Sequence, residues 1–203
     1  MTGSLSAQAA YARGVETFDA VLRRVRTDQW TAATPCVEWD VRTLVNHVVG
    51  EDRWVPPLLA GLTIAEVGDT LAGDLLGDEP QFAWDRARHE AEGAVSAVPD
   101  DRTVALSAGP TPVAEYLWQL AADHLIHAWD LATAVGIELV FDDDLAAAVE
   151  DWFRAREDGY RQAGAIGPRV AVPDGSSRQQ RLLAAFGRSV VDRPAGREPT
   201  YVS

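Results

Sequence analysis

Along four or five long stretches of this chain, apolar side chains return every three or four residues, a spacing that builds helices. The first stretch covers about 5–26, with Val15, Phe18, Val21, Leu22 and Val25 on one face. Asp40 is placed to cap a second, which carries Val41, Leu44, Val48, Val55 and Leu58; Pro56 and Pro57 are expected to kink or end it. A Gly- and Asp-rich loop at about 61–79 precedes a third helix at about 80–97. A short extended piece, 103–106, leads to Thr111 and Pro112, a start signal for a fourth helix over about 112–135 that closes at Gly136. A fifth begins at the acidic run from Asp142 and reaches about Ala163. After an apolar piece at 170–172, Ser176 with Gln179 three residues on has the pattern of a capping box opening a last helix. With no internal repeat and no series of strands, the expectation is an all-α helical bundle with extra C-terminal helices and short extended pieces. It forms a single domain over 1–191, with 192–203 as a flexible tail.

Composition narrows the partners. A net charge of -13 and a pI near 4.6 repel nucleic acid and anionic membranes. Cys36 is the sole cysteine, so no intrachain disulfide forms, which fits a reducing cytosol. The N-terminus lacks the charged start and apolar stretch of a secretory signal, and no apolar run approaches the ~18 residues of a membrane span. The expected location is cytoplasmic.

Two helices carry ionisable groups on their apolar sides. On the fourth, Val113, Leu117, Leu120 and Leu131 define a stripe that contains His124 and His127 and has Asp123 at its edge. On the second, His47 lies at the margin of the stripe and Glu51 projects into it. An unpaired buried carboxylate is costly or shifts its pKa. A divalent cation held by imidazoles and a carboxylate on facing helices would compensate. The blander alternative is a hydrogen-bonded core histidine, with Asp123 and His127 as an i, i+4 pair on one helix face. Spacing alone leaves both open.

The stretches TPCVEWDVRTLVNHVVGEDRW and LAADHLIHAWDLATAVG resemble the N-terminal domain of mycothiol-dependent maleylpyruvate isomerases and its actinobacterial metal-binding relatives in the DinB/YfiT-like superfamily. The resemblance implies a DinB-like four-helix bundle. It also implies a metal site in which His47, two turns after the Trp39-Asp40 pair, joins Asp123 and His127 ahead of the WDLA segment at 129–132. The isomerases carry Glu where this chain has the shorter Asp123, so His124 stays open as a substitute ligand, and their catalytic arginine has no matching position here.

Three protein ligands leave a position for water or substrate. Zn2+ is the default, and Fe2+, Ni2+ or Mn2+ also suit two imidazoles and a carboxylate. The resemblance implies mycothiol as co-substrate and an S-transferase or isomerase acting on a small electrophile; the inward projection of Glu51, on geometry alone, makes it the candidate general base. A metal-dependent hydrolase or lyase without thiol, and a non-enzymatic metal- or ligand-binding protein, are the alternatives. Cys36 reads as a packing residue at the helix entry and His89 as part of a solvated face. Trp118, Leu125 and Trp129 form an apolar line on the far side of the fourth helix, to be covered by the fifth or C-terminal helix or by a second subunit in a homodimer.

Overall fold

The computed structural model describes residues 5–99 and 101–190. The expected tail at 192–203 lies outside the described residues. The chain divides into two compact units, the first ending at Ala155 and the second beginning at Arg156.

Four long helices make the bundle of the first unit: α1 (Ala7–Leu22), α2 (Val41–Leu59), α4 (Pro80–Ala97) and α5 (Val113–Val135). Each starts or stops where local chemistry directs. The Ser6 hydroxyl accepts from Ala9 N–H at 3.2 Å to open α1. Asp40 caps α2 by accepting from the Thr43 N–H at 2.8 Å and its hydroxyl at 2.7 Å. Gly136, at φ 75°, takes the left-handed turn that ends α5, as a residue without Cβ does most readily. Pro56 and Pro57 lie inside the last turn of α2, and the helix ends two residues past them.

The loop expected at 61–79 contains a four-residue helix, α3 (Ile64–Val67), opened by a Thr63–Glu66 capping box, and a 3-10 turn at Gly68–Leu71. The extended piece at 103–106 is β1 (Thr103–Leu106) of an antiparallel hairpin. Its partner β2 (Gly109–Pro112) pairs Thr103 with Pro112 and Leu106 with Gly109. The hairpin delivers Pro112 as the residue before α5, so this helix starts at Val113.

The helix expected from Asp142 to about Ala163 is two. Asp142 caps α6 (Asp143–Arg154) by accepting from Leu145 N–H at 2.8 Å, and a separate α7 (Glu157–Gln162) follows in the second unit. There α8 (Arg178–Ala185) opens with a capping box shifted by one residue from the expected pair: Ser177 N–H donates to Gln180 Oε1 at 2.8 Å, and Gln180 N–H donates to Ser177 Oγ at 3.2 Å.

Within the first unit α5 is the central helix. It packs mainly on α1 and also against α2 and α6. The approach to α1 is close at Gly14, where an added Cβ would sit 3.0 Å from the Ala121 carbonyl oxygen and 3.3 Å from His124 Cβ. The apolar line on the far side of α5 is met by α6: Trp118 stacks on Trp152 with centroids 6.4 Å apart, and Leu125 is fully buried. The chain's own α6 thus takes up part of the face that a second subunit was an alternative to cover. Among the described residues no helix is long and apolar enough to cross a membrane.

Candidate functional site

The segment entering α2 is a tight turn. Thr34 N–H and Oγ1–H both donate to the Trp39 carbonyl, at 3.0 and 2.9 Å, and Trp39 N–H donates to the Cys36 carbonyl at 3.1 Å. Closing it puts Glu38 at φ 68°, the one non-glycine residue at positive φ among the described residues. The turn lays the Trp39 ring against two imidazoles, 5.0 Å from His47 and 5.8 Å from His127, nearly parallel to the latter at 28°.

His47 from α2 meets Asp123 and His127 from α5. His47 Nε2 is 3.4 Å from Asp123 Oδ2, and His127 Nε2 is 3.4 Å from Asp123 Oδ1. One donor atom from each of the three residues lies within 4.8 Å of the others. His47 and Asp123 keep 29% and 30% of their side-chain surface exposed, so the cluster is open on one side, while His127 is at 9%. Asp123 Oδ2 itself is buried and has no directed hydrogen bond, its approach to His47 being ionic in distance only.

Burial drives the Asp123 pKa up, but the neighbouring His127 and His47 imidazoles overcome it and hold the carboxyl well below its ordinary value. Conversely, burial pushes the His127 imidazole down, and the Asp123 charge, with hydrogen bonds to Asp123, Asp130 and Cys36, lifts it well above the usual histidine value. The carboxylate of Asp123 thus lies between two imidazoles from different helices, an arrangement that a bound cation would also satisfy. Two neutral imidazoles and a carboxylate are a suitable donor set for Zn2+, Fe2+, Ni2+ or Mn2+, and the unbonded Asp123 Oδ2 marks where positive charge is wanted. The residues fit a metal.

His124 is placed elsewhere. It has no exposed surface, Nδ1 meets the Leu120 carbonyl at 2.7 Å, and Nε2 meets Asp52 Oδ2 at 3.3 Å. The other Asp52 oxygen accepts from the Tyr11 hydroxyl at 2.9 Å. Both ring nitrogens of His124 are therefore engaged, and the rings of Tyr11, Phe18 and Trp84 surround it.

Glu51 follows His47 by about one turn of α2 and is not among the clustered donors. Burial raises its pKa and the Asp123 charge raises it further, partly offset by His47 and His124. Tyr116, two turns before Asp123 on the same face of α5, has a buried hydroxyl without a partner. Burial, then the charges of Glu51, Asp52 and Asp123, push its phenol well above the ordinary value. Two buried carboxylates were passed over by sequence reasoning: Asp52, which pairs with His124 away from the cluster, and Asp130, whose Oδ2 lies 3.1 Å from His127 Nδ1 and accepts from the Cys36 thiol at 3.2 Å. Cys36 thus packs at the helix entry with its thiol turned to α5, and His89 is exposed.

Residues 11–132 match the family described as the mycothiol maleylpyruvate isomerase N-terminal domain. Two uncharacterized proteins of Mycobacterium tuberculosis, from strains CDC 1551 / Oshkosh and ATCC 25618 / H37Rv, are each 34% identical over 145 residues, 68% of this chain and 71% of theirs. No solved structure matches the chain.

Proposed function

Because the chain belongs to the mycothiol maleylpyruvate isomerase N-terminal domain family, we propose that it is a cytoplasmic divalent-metal-dependent enzyme, a mycothiol-dependent S-transferase or isomerase acting on a small electrophile. His47, Asp123 and His127 would hold the metal, most readily Zn2+. The observation that carries this reading is the meeting of three donor atoms within 4.8 Å, from residues up to 80 apart in sequence (47 to 127), around a buried carboxylate oxygen with no directed hydrogen bond. A bound divalent cation would supply Lewis acidity at an open position, favouring a thiolate over a thiol.

The chain's own residues do the rest. Asp123 contributes the one negative charge of the donor set, which favours a divalent ion over a monovalent one. The Trp39 ring packs beside both imidazoles, nearly parallel to His127 and tilted to His47. Burial and the Asp123 charge raise the Glu51 pKa above that of an exposed glutamate, and we assign it the role of general base.

The test is metal analysis of protein purified without an affinity tag, followed by a thiol panel with a chromogenic electrophile. One metal per chain and consumption of the electrophile only in the presence of thiol are expected. Protein that neither carries metal nor retains added Zn2+ would overturn the metal reading. Turnover without thiol would replace the transferase reading with a hydrolase or lyase.

A further inference from the structure

His127 uses its two ring nitrogens in opposite directions. Nε2 faces Asp123 Oδ1 at 3.4 Å, and Nδ1 faces Asp130 Oδ2 at 3.1 Å. Asp130 has no exposed surface, and a buried carboxylate is retained only where donors are supplied to it. Two donors converge on its Oδ2: the His127 ring, three residues earlier on the same helix, and the Cys36 thiol at 3.2 Å, delivered by the turn before α2. We propose that Asp130 is a positioning residue for the metal site: its carboxylate fixes the His127 ring through Nδ1, so that Nε2 alone is presented toward Asp123 and His47, with the Cys36 thiol holding the carboxylate in place.

The chemistry follows from what each group can do. A carboxylate accepts and does not donate, so the proton between it and the ring sits on Nδ1. A metal needs a lone pair, which is then left on Nε2. Ring orientation is fixed at the same time by the Trp39 face lying 5.8 Å away at 28°. The sulfur is 3.9 Å from His127 Nδ1, longer than its distance to Asp130, so the thiol serves the carboxylate more than the ring. Cys36, His127 and Asp130 are close enough to form a donor set of their own. Against this, Asp130 has no exposed surface, whereas the cluster containing His47 and Asp123 is open on one side.

This inference rests on the metal reading above, and its test separates the two. Zn2+ affinity is measured by chelator competition for the unaltered protein, His47→Ala, Asp130→Asn and Cys36→Ser, with circular dichroism of each and nitrogen-15 NMR of the His127 ring in the zinc-loaded unaltered protein. Asp130→Asn is expected to keep the fold and the one-to-one stoichiometry while binding Zn2+ about 10–100-fold more weakly, the usual effect of losing a carboxylate behind a ligating histidine. Cys36→Ser keeps a donor to the same oxygen and should retain zinc. The unaltered protein should show a proton on Nδ1 and metal at Nε2. A folded Asp130→Asn protein that binds Zn2+ as tightly as the original overturns the inference, as does metal at Nδ1. Loss of zinc in Cys36→Ser overturns it in favour of the Cys36-containing donor set. If Asp130→Asn does not fold, the NMR of the unaltered protein decides. Should the unaltered protein bind no zinc, the metal reading and this inference fall together. Should it bind zinc and His47→Ala lose it while Asp130→Asn does not, only the positioning role falls.

Discussion

Asp52 Oδ2 lies 3.3 Å from His124 Nε2 between α2 and α5, and neither side chain has any exposed surface. The Leu120 carbonyl accepts from the other ring nitrogen at 2.7 Å, and Tyr11 donates to the second carboxylate oxygen at 2.9 Å, so three helices are tied by one network. Burial lowers the His124 pKa, but the charge and hydrogen bond of Asp52 outweigh it and the net shift is upward. The Leu120 carbonyl can only accept, which places a proton on Nδ1, and the Asp52 carboxyl faces Nε2 across the same ring.

Removing one partner of a buried pair leaves the other uncompensated. Asp52→Ala is expected to lower unfolding free energy by about 3–5 kcal/mol. Urea denaturation followed by circular dichroism measures it. A loss under about 1 kcal/mol, within the range of unremarkable substitutions, would mean that the network contributes specificity rather than stability.

Gly14 gives a sign test of helix packing. In an exposed helix interior, Gly→Ala gains about 1 kcal/mol from propensity. Here the new Cβ would stand 3.0 Å from the Ala121 carbonyl oxygen, and that atom is backbone of α5 and cannot swing away. Gly14→Ala is therefore expected to be neutral or destabilising, and Gly14→Val destabilising by about 1–3 kcal/mol, as overpacked positions are. A Tm for Gly14→Ala above that of the original protein would show that α1 and α5 can separate at little cost.

Helix starts and stops were legible where a single residue commits the backbone: Asp40 before α2, Gly136 after α5 and Asp142 before α6. The second hairpin strand was not, because Gly109–Pro112 carries two prolines and none of the alternation that marks a strand. The capping box of α8 was displaced by one residue because Ser176 and Ser177 both precede glutamines by three, and local sequence does not choose between them. Inward projection points to His47, Glu51, Asp123, His124 and His127 without choosing among them; the family resemblance selects His47, Asp123 and His127, whose donor atoms the structure brings within 4.8 Å of one another. Asp52 left a signal that went unread: it falls in the series Val45, Val48, Asp52, Val55, Leu59 at core spacing. Its partners are 41 and 72 residues away in sequence, at Tyr11 and His124, and no local pattern identifies them. The Trp39 stack depends on Glu38 entering the left-handed region, which the side chain does not advertise.

The N-terminus of α2 sets where His47 stands, two turns on, and Asp40 holds it. Side-chain and backbone hydrogen bonds from Thr43 lower the Asp40 pKa below its ordinary value. Asp40→Ala is expected to cost about 1 kcal/mol, the typical worth of an N-cap. A carboxyl whose folded pKa is depressed stabilises the protein above its unfolded pKa, about 3.9, and that stability is lost as pH falls through the lower folded value. The difference between Asp40→Ala and the original protein should accordingly be full at neutral pH and shrink in acid below the ordinary aspartate range. Unfolding midpoints measured as a function of pH check this; a difference that grows on acidification would assign the effect to something other than the ionised cap.

Metal binding should appear as stability that depends on the three clustered donors and not on His124. A ligand that binds only the folded chain stabilises it by about 2.7 kcal/mol at a free concentration of 100 times its Kd. Added Zn2+ is therefore expected to raise the Tm of the original protein, EDTA to reverse the rise, and His47→Ala and Asp123→Ala to abolish it, since each removes one of the donor atoms that meet within 4.8 Å. His124 offers no free nitrogen to a metal, both being engaged by Leu120 and Asp52. His124→Gln should lower the Tm of the metal-free protein by disrupting that pairing, yet keep the zinc-dependent rise, because its structural debt is independent of the metal. Calorimetry of the four proteins with zinc and with EDTA separates the two contributions. A zinc-dependent rise that survives in Asp123→Ala and disappears in His124→Gln would exchange the roles of these neighbouring residues and place the metal inside the core network rather than at the open cluster beside Trp39.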